Sequence, residues 1–349
     1  MTNTSSLIKL KLYSSAFNFS SACHYNEGST CVVNQVSLTM SFTLKRSHNH
    51  KSLTRKSKGM VHSIENNLLN VAIETKGAEL QSIIHKDFGL EYMWSGDQKF
   101  WGKKSPVLFP IVGTLKNNSY QYKGNTYWLS RHGFARDMEF EVTDKSENFI
   151  TFTLNNNETT FANYPFHFSF SIRYSIESNR LNVSYIIKNT GTEEMLFSVG
   201  GHPAFKVPLV EGTTFEDYYL EFNHFEHASR WLLSRDGLIE DSTAPVIEHT
   251  DKLPLTKSLF YKDALVFKHL TSKSVYILSG KTSHGLKVNF HNFPYLGIWS
   301  AKDADFICIE PWSGIADSVN TTGDLQEKEG INILPKGEIF TRTWHVELF

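Results

Sequence analysis

The sequence is short of the features that mark several common classes of protein. It has only three cysteines in 349 residues, Cys23, Cys31 and Cys308, which is no disulfide framework. No apolar run approaches the roughly 20 residues that a membrane-spanning helix needs. The 35 basic and 36 acidic side chains leave a formal net charge of −1, which favours neither nucleic acid nor a membrane as partner. We therefore expect a reducing, cytoplasmic setting, with Cys308 as a reduced residue of the core.

Motifs for metal and nucleophilic chemistry are also missing. A zinc site usually shows paired histidines on a helix or clustered cysteines, and the sequence has neither. No Gly-x-Ser-x-Gly turn indicates an activated serine. No glycine-rich loop follows a strand and opens a helix, as a phosphate-binding loop would. We predict a protein without metal or cofactor.

Residues 1–59 differ in composition from the rest of the chain. They carry eight Lys and Arg side chains against one acid, Glu27, and all ten prolines of the chain lie after Met60. The segment is rich in Ser, Thr and Asn and lacks the periodicity of a helix or a strand. It could be a disordered basic extension, a transit peptide, or a stretch that is not translated because synthesis starts at Met60. We favour the last of these.

From Ile64 onward the chain has the pattern of an antiparallel β protein. Apolar and polar residues alternate in short segments, and 26 Phe and 14 Tyr suit sheets better than helices. Phe166–Glu177 is one such segment, and Leu181–Ile187 follows it after a short turn. Gly124-Asn125 predicts a two-residue hairpin turn. We expect no helix beyond short turns, such as one around residues 98–103.

The spacing of these strands predicts the architecture. They recur about every ten residues without helical crossovers, which indicates stacked antiparallel sheets rather than a parallel α/β fold. No internal repeat, proline-rich linker or low-complexity segment follows Met60. We predict that residues 60–349 form one all-β domain, a large β-sandwich.

Glu310 is the first candidate for chemistry. It follows the apolar run Phe306–Ile309, where an ionised carboxylate is costly unless it is paired or used. Pro311 restricts it to an extended backbone, and Trp312 adds an aromatic wall. The alternative is an ordinary surface glutamate where a strand meets a turn.

His202 repeats this arrangement. Pro203 follows it, and Gly200-Gly201 before it allow a tight turn or a close approach to a ligand. A capping or core histidine is the alternative, but two titratable residues stiffened in the same way favour one shared site. His132 and Asp263 are weaker candidates, since they could be a turn residue and a strand cap. A histidine and a carboxylate suit proton transfer on a neutral sugar, and aromatic faces stack on sugar rings.

Taken together, these motifs resemble the aldose 1-epimerase (galactose mutarotase) family. The likeness is greatest to its lactose-operon-type mutarotase-like branch, which is related to the glucose-6-phosphate 1-epimerases. It covers the chain from about Leu68 to the C-terminus and leaves out residues 1–59. The matching stretches are Phe109–Gly113, His132–Arg136, Tyr164–Phe166, Gly200–Phe205, Asp263–Phe267 and Ile309–Gly314.

The resemblance implies both a fold and a reaction. The fold is a galactose mutarotase-like β-supersandwich, and the reaction is an isomerisation between the α and β anomers of an aldose. Glu310 would be the general base at the C1 hydroxyl and His202 the general acid at the ring oxygen. His132 and Asp263 would bind the sugar, and Trp312 would raise the pKa of Glu310.

One stretch departs from the family pattern. Typical members carry an Asn-Arg pair in the first pocket loop, where this chain reads Leu115–Asn118. Lys116, Arg131 and Arg136 could bind a phosphate, so a sugar phosphate stays an alternative to the neutral aldose that we favour. Arg136 could equally anchor its own loop through an ion pair.

Two other functions stay open. One is a non-catalytic sugar-binding protein, and the other is a glycoside hydrolase or polysaccharide lyase that uses Glu310 and Asp263. We expect a small-molecule sugar as the partner, with no nucleic acid and no membrane. The oligomeric state is left open.

Overall fold

The computed structural model describes residues 59–349. Our predictions about residues 1–59 therefore lie outside the described residues, apart from Gly59. The described chain is mostly strand, with a single α-helix, α1 (Glu158–Asn163), and a few 3-10 turns. This confirms the prediction of an all-β fold with few short helices. Within residues 59–349, no helix is long and apolar enough to cross a membrane.

The strands of this part of the chain number 23, most of them short. In chain order they are β1 (Val61–Glu65), β2 (Leu69–Glu74), β3 (Glu79–His85), β4 (Leu90–Glu91), β5 (Val107–Leu108), β6 (Ser119–Tyr122), β7 (Asn125–Trp128), β8 (Glu141–Lys145), β9 (Phe149–Asn155), β10 (Phe168–Glu177), β11 (Arg180–Asn189), β12 (Met195–Phe197), β13 (Val199–Gly201), β14 (Ala204–Lys206), β15 (Tyr218–Leu233), β16 (Ile239–Pro254), β17 (Leu265–Lys268), β18 (Ser274–Ser279), β19 (Thr282–Asn289), β20 (Tyr295–Trp299), β21 (Phe306–Ser313), β22 (Asn332–Leu334) and β23 (Ile339–Leu348).

One large antiparallel sheet of 15 strands dominates the fold. Its main path runs β5-β13-β21-β20-β17-β15-β18-β19-β23-β11-β10-β9-β8, with β14 beside β21 and β16 beside β15. A second sheet, β1-β2-β3-β4, shares one hydrophobic core with it. The hydroxyl of Tyr174 in β10 donates to the carbonyl of Ala78, 2.7 Å away, and ties the region beside the small sheet to the large one.

The hairpin β10–β11 shows how the alternation in the sequence builds this core. Phe168, Phe170 and Ile172 are buried, while the serines and Arg173 between them are half-buried. Successive side chains of a strand point to opposite faces, so one face of β10 supplies the core. The predicted pairing with the next segment is confirmed, since Glu177 pairs with Arg180 across Ser178-Asn179.

The predicted turn at Gly124-Asn125 is shifted by one residue. Tyr122 pairs with Asn125, so the two turn residues are Lys123 and Gly124. Both have positive φ, 50° and 76°, as a type I′ hairpin turn requires. Gly124 therefore takes the second turn position rather than the first.

Strands β15 and β16 form a long ribbon that sequence patterning did not predict. Each has 16 residues, and their pairing contains several register shifts. Much of each strand is half-buried or exposed without strict alternation, so no apolar period of two indicates the strand there. The connection between them carries Gly237, which lies beside the candidate site described below.

Strand β21 runs further than the sequence indicated. It continues through Pro311 to Ser313 and is buried throughout, so Glu310 lies inside the strand and not at its end. Ile309 donates its N–H to the carbonyl of Pro203, 3.3 Å away. Alternate amides of a strand face the same side, so the nitrogen of Pro311 also faces β13 and β14. The ladder on that side is interrupted there, so the missing N–H of the proline disrupts no pairing.

Candidate active site

The pairing register of the large sheet places His202 opposite Glu310. Gly200 pairs with Trp312 and Ala204 pairs with Cys308. Both pairs belong to one register, in which His202 is the residue that faces Glu310. Side chains directly opposite each other on neighbouring strands stand on the same face, a few ångströms apart.

The two side chains meet at the floor of a pocket. Nε2 of His202 lies 3.4 Å from Oε2 of Glu310, and both side chains are at least nine-tenths buried. The pocket has a volume of about 440 Å³. Its lining comes from the large sheet and from loops around it, and comprises Trp101, Gly113, Arg131, His132, Arg136, His202, Leu233, Gly237, Ile239, Asp263, Ala264, Val266, Trp299, Glu310, Trp312 and Ala316.

Two tryptophans that sequence reasoning missed hold the ring of His202. Trp101 stacks on it with ring centroids 4.9 Å apart and a 27° angle between the planes. Trp299 meets it edge to face at 5.5 Å. Trp299 pairs with Cys308 across β20 and β21, so only knowledge of that pairing could have indicated it. Trp101 lies in a loop, and no pattern in the sequence marks it.

Trp312 forms another wall and depends on two glycines for its space. A Cβ atom on Gly200 would lie 2.7 Å from Cδ1 of the indole, closer than real carbon contacts allow. A Cβ on Gly297, in the neighbouring strand β20, would overlap the other end of the ring. Gly200, two residues before His202, is therefore needed for packing, and its φ is not in the positive range that favours glycine.

His132 is held in the pocket by its backbone neighbour Gly113. It donates its N–H to the carbonyl of Gly113, 2.8 Å away, and its Nδ1 accepts the N–H of Gly113 at 3.1 Å. In the neutral ring the proton therefore resides on Nε2. Its φ of 69° is an unusual value for a side chain other than glycine, and it aims the ring at His202, 5.7 Å away between centroids.

Charged side chains form the rim. The guanidinium of Arg131 lies 3.9 Å from the carboxylate of Asp263, whose Oδ1 also accepts the N–H of Ala264. Arg136 donates to the carbonyl of Arg131 at 2.8 Å, and its Nε lies 3.9 Å from Asp137. Arg136 thus lines the pocket, as a substrate-binding residue would, and also contacts its own loop, as a loop anchor would.

Lys116 is placed apart from the other predicted site residues. It is not part of the pocket lining, and its amine donates to the carbonyl of Val319, 2.7 Å away. Its backbone N–H donates to Asp317, which forms a buried ion pair with Lys328 at 2.7 Å. Its role in substrate binding stays a prediction that this placement does not favour.

Burial controls the protonation of the central pair. It raises the pKa of Glu310 well above the ordinary 4.5, against the opposing influence of Arg131 and the Trp312 indole. The expectation that Trp312 itself raises this pKa is therefore wrong, since its indole N–H acts as a polar group toward the carboxylate. Burial, with Arg131, lowers the pKa of His202 from 6.5 to about 3. Burial and the neighbouring His202 also lower the pKa of His132. Between the lowered pKa of His202 and the raised pKa of Glu310, the pair therefore holds one proton, on the carboxyl group.

One proton on two adjacent groups gives the pocket one acid and one base. The Nδ1 atom of His202 has no hydrogen-bond partner among the described residues, so nothing there ties the ring to one tautomer. The site can thus give a proton to one atom of a bound molecule while it takes a proton from another. Fold and site together define an antiparallel β protein with a buried acid–base pair in an aromatic pocket.

Comparison with known proteins narrows this class to a family. The family model for aldose 1-epimerase matches residues 60–338. Protein LacX (chromosomal) of Lactococcus lactis subsp. lactis is 36% identical over 286 residues, which cover 79% of this chain and 95% of that protein. The chain therefore belongs to the aldose 1-epimerase family.

Solved structures share the fold, among them two from Lactobacillus species. A galactose mutarotase related enzyme from Lactobacillus acidophilus is 38% identical with a TM-score of 0.79, and the match covers 83% of this chain and 97% of that one. A galactose mutarotase-like protein from Lactobacillus casei is 32% identical with a TM-score of 0.78, over 83% of this chain and 100% of that one. The predicted galactose mutarotase-like fold is thereby confirmed.

Proposed function

We propose that the protein is an aldose 1-epimerase that interconverts the α and β anomers of an aldose. Glu310 is the general base at the C1 hydroxyl and His202 the general acid at the ring oxygen. The observation that carries this proposal is the 3.4 Å contact between Nε2 of His202 and Oε2 of Glu310 on the pocket floor. Membership of the aldose 1-epimerase family supports it.

The reaction moves two protons and consumes none. The carboxylate of Glu310 takes the proton of the C1 hydroxyl, and the bond between C1 and the ring oxygen breaks. The imidazolium of His202 protonates that oxygen, so the open-chain aldehyde forms. Rotation about the C1–C2 bond and ring closure with the roles reversed give the other anomer and restore the pair.

The shared proton must first move from Glu310 to His202, because burial raises the pKa of the carboxyl group and lowers that of the imidazole. Arg131 lowers the pKa of both groups, so its charge does not by itself drive this transfer. Sugar hydroxyls that donate to the carboxylate would favour it, because they stabilise the ionised form of Glu310. His132, Asp263 and Arg136 are proposed to bind other hydroxyls of the sugar, while Trp312 offers its apolar face to the ring.

Anomer exchange measured by NMR tests this proposal. We expect Glu310→Gln and His202→Ala each to slow the exchange on the order of 100-fold, within the usual range for an acid or base catalyst. Glu226→Gln is the matched control. Its carboxylate is also buried, but it accepts N–H bonds from Thr271 and Ser272 outside the pocket. If both pocket variants exchange anomers as fast as the parent protein, the mechanism is wrong.

A phosphorylated aldose is the second candidate substrate. Two guanidinium groups, those of Arg131 and Arg136, line the same pocket, and arginine pairs well with phosphate oxygens. The substrate panel therefore includes free aldohexoses and their 6-phosphates. If the phosphorylated sugars are preferred, we expect Arg136→Gln to slow their exchange more than that of the free sugars, and so to remove the preference.

The same panel separates the remaining alternatives. A non-catalytic sugar-binding protein would show saturable binding without faster exchange. A hydrolase would release nitrophenol from a nitrophenyl glycoside. Either result, without acceleration of anomer exchange, contradicts the proposed function.

A further inference from the structure

Cys308 has no part in the proposed reaction, although it lies beside the acid–base pair. It is fully buried and belongs to β21, two residues before Glu310. Side chains two residues apart in a strand share a face, so Cys308 and Glu310 point the same way. One donor atom from each of His202, Cys308 and Glu310 lies within 4.8 Å of the donor atoms of the other two.

We propose that His202, Cys308 and Glu310 bind a thiophilic divalent cation such as zinc, and that the bound cation excludes the sugar. A thiolate, an imidazole and a carboxylate are the three ligand types that zinc takes in proteins. Two donors in a tetrahedral zinc shell lie about 3.3 to 3.6 Å apart, given bonds of about 2.0 to 2.3 Å. The His202–Glu310 separation of 3.4 Å already matches this spacing.

The thiol needs only a small adjustment to complete the set. Sγ of Cys308 lies at most 4.8 Å from the donor atoms of His202 and Glu310. It must therefore move by about 1 Å to reach a tetrahedral position. The fourth position then faces the pocket, where water or a small anion can occupy it. A cation held there engages both groups of the acid–base pair, so the pocket can no longer act on a sugar.

Proton release accompanies the binding. Cys308 enters as a thiolate and its proton passes to solvent. The proton that His202 and Glu310 share also leaves, because both atoms become ligands. The cation therefore replaces two protons. The protein supplies only three ligands, so we expect weaker binding than at a structural site with four protein ligands.

The site escaped sequence analysis because no local motif encodes it. The cysteine and the glutamate are separated by one residue on a strand, and the histidine precedes them by about a hundred residues. Only the pairing of β13 and β14 with β21 brings the three together. Zinc motifs that sequence reasoning detects are local pairs on a helix or a turn.

Cobalt spectroscopy in a double variant tests the proposal directly. The chain has three cysteines, so Cys23→Ser/Cys31→Ser leaves Cys308 as its single thiol. Cobalt(II) added to this full-length variant should give the near-ultraviolet charge-transfer absorption of a cobalt–thiolate bond, and zinc should displace it. Absence of that absorption at saturating cobalt overturns the proposal, whether or not the protein epimerises sugars.

Calorimetry with zinc adds a second measurement in the same background. Cys308→Ala should weaken zinc binding by at least about tenfold, since the loss of even an outer partner of a metal ligand costs that much. Unchanged affinity would overturn the proposal. Exclusion of the sugar rests on the proposed function and is measured separately, as inhibition of anomer exchange by zinc. That inhibition should disappear in the Cys308→Ala variant, and its persistence would place the inhibitory zinc elsewhere.

Discussion

The shared proton of His202 and Glu310 predicts opposite pH dependences of stability for two neighbouring variants. In the unfolded chain, the two groups have the ordinary pKa values of 6.5 and 4.5. Between these values the unfolded pair holds one proton, on the imidazole. The native pair also holds one, on the carboxyl group. Folding therefore changes the proton count of the pair little, and the pair adds little slope to stability against pH in this window.

Each single substitution makes the number of bound protons differ between the native and the unfolded chain, and the two substitutions do so with opposite signs. In Glu310→Gln, native His202 stays neutral because its folded pKa is lowered, while the unfolded imidazole is protonated. The free energy of unfolding then falls as pH decreases from 6.5. In His202→Gln, native Glu310 stays protonated because its folded pKa is raised, while the unfolded carboxyl group ionises. Stability then falls as pH increases from 4.5. Each slope is up to about 1.4 kcal/mol per pH unit, the value for one proton.

Urea unfolding at several pH values between 4.5 and 6.5 measures these slopes. The slopes of the two variants, each taken relative to the parent protein, should have opposite signs and differ by up to nearly 3 kcal/mol per pH unit. The double variant His202→Gln/Glu310→Gln is the control, and it should regain the slope of the parent. Single variants with slopes of the same sign, or with the slope of the parent, would refute the assigned protonation states.

Three further predictions concern the same pocket and its supports. The rate of anomer exchange should show no acid limb at pH 6.5, since burial lowers the pKa of His202 to about 3; a limb at that pH would mean an imidazole with ordinary solvation. Gly297→Ala should destabilise the protein by about 1–3 kcal/mol in urea unfolding by displacing the Trp312 ring, whereas Gly280→Ala, with open space around it, should have little effect. Lys328→Met should cost about 3–5 kcal/mol because it leaves buried Asp317 without its cation, and Asp317→Asn in addition should restore part of the loss. Equal stability of the single and the double variant at Lys328 would contradict that account.

Some elements of the fold could be read from local patterns, and others could not. The hairpin β10–β11 is predictable because one face of each strand is buried, which forces strict alternation of apolar residues. The ribbon β15–β16 was not predicted because much of it is half-buried or exposed without strict alternation, so no period of two marks its strands. The turn at Lys123-Gly124 was misplaced by one residue, since Gly-Asn and Lys-Gly both suit a hairpin and only the register decides between them.

Some residues of the candidate site could likewise be recognised from the sequence, and others could not. Glu310 and His202 stand out in the sequence because a titratable residue before a proline beside aromatic residues is conspicuous in a one-dimensional pattern. Trp101 and Trp299 do not stand out, since an aromatic residue in a loop or a buried strand is usually part of a core. Lys116 looked suitable by charge and position, yet its amine is satisfied by the carbonyl of Val319.

The sequence by itself determined the all-β class, the family resemblance and the two residues proposed as acid and base. These depend on residue identity and short-range spacing, which a linear chain displays. Only the tertiary structure decided that His202 faces Glu310 at 3.4 Å, that tryptophans enclose the histidine, and that Cys308 lies beside the pair. Those facts depend on the register between β21 and the strands β13 and β14, about a hundred residues away along the chain. Burial in that sheet also sets which of the two groups holds the proton, because desolvation acts on a group only once the chain has folded around it.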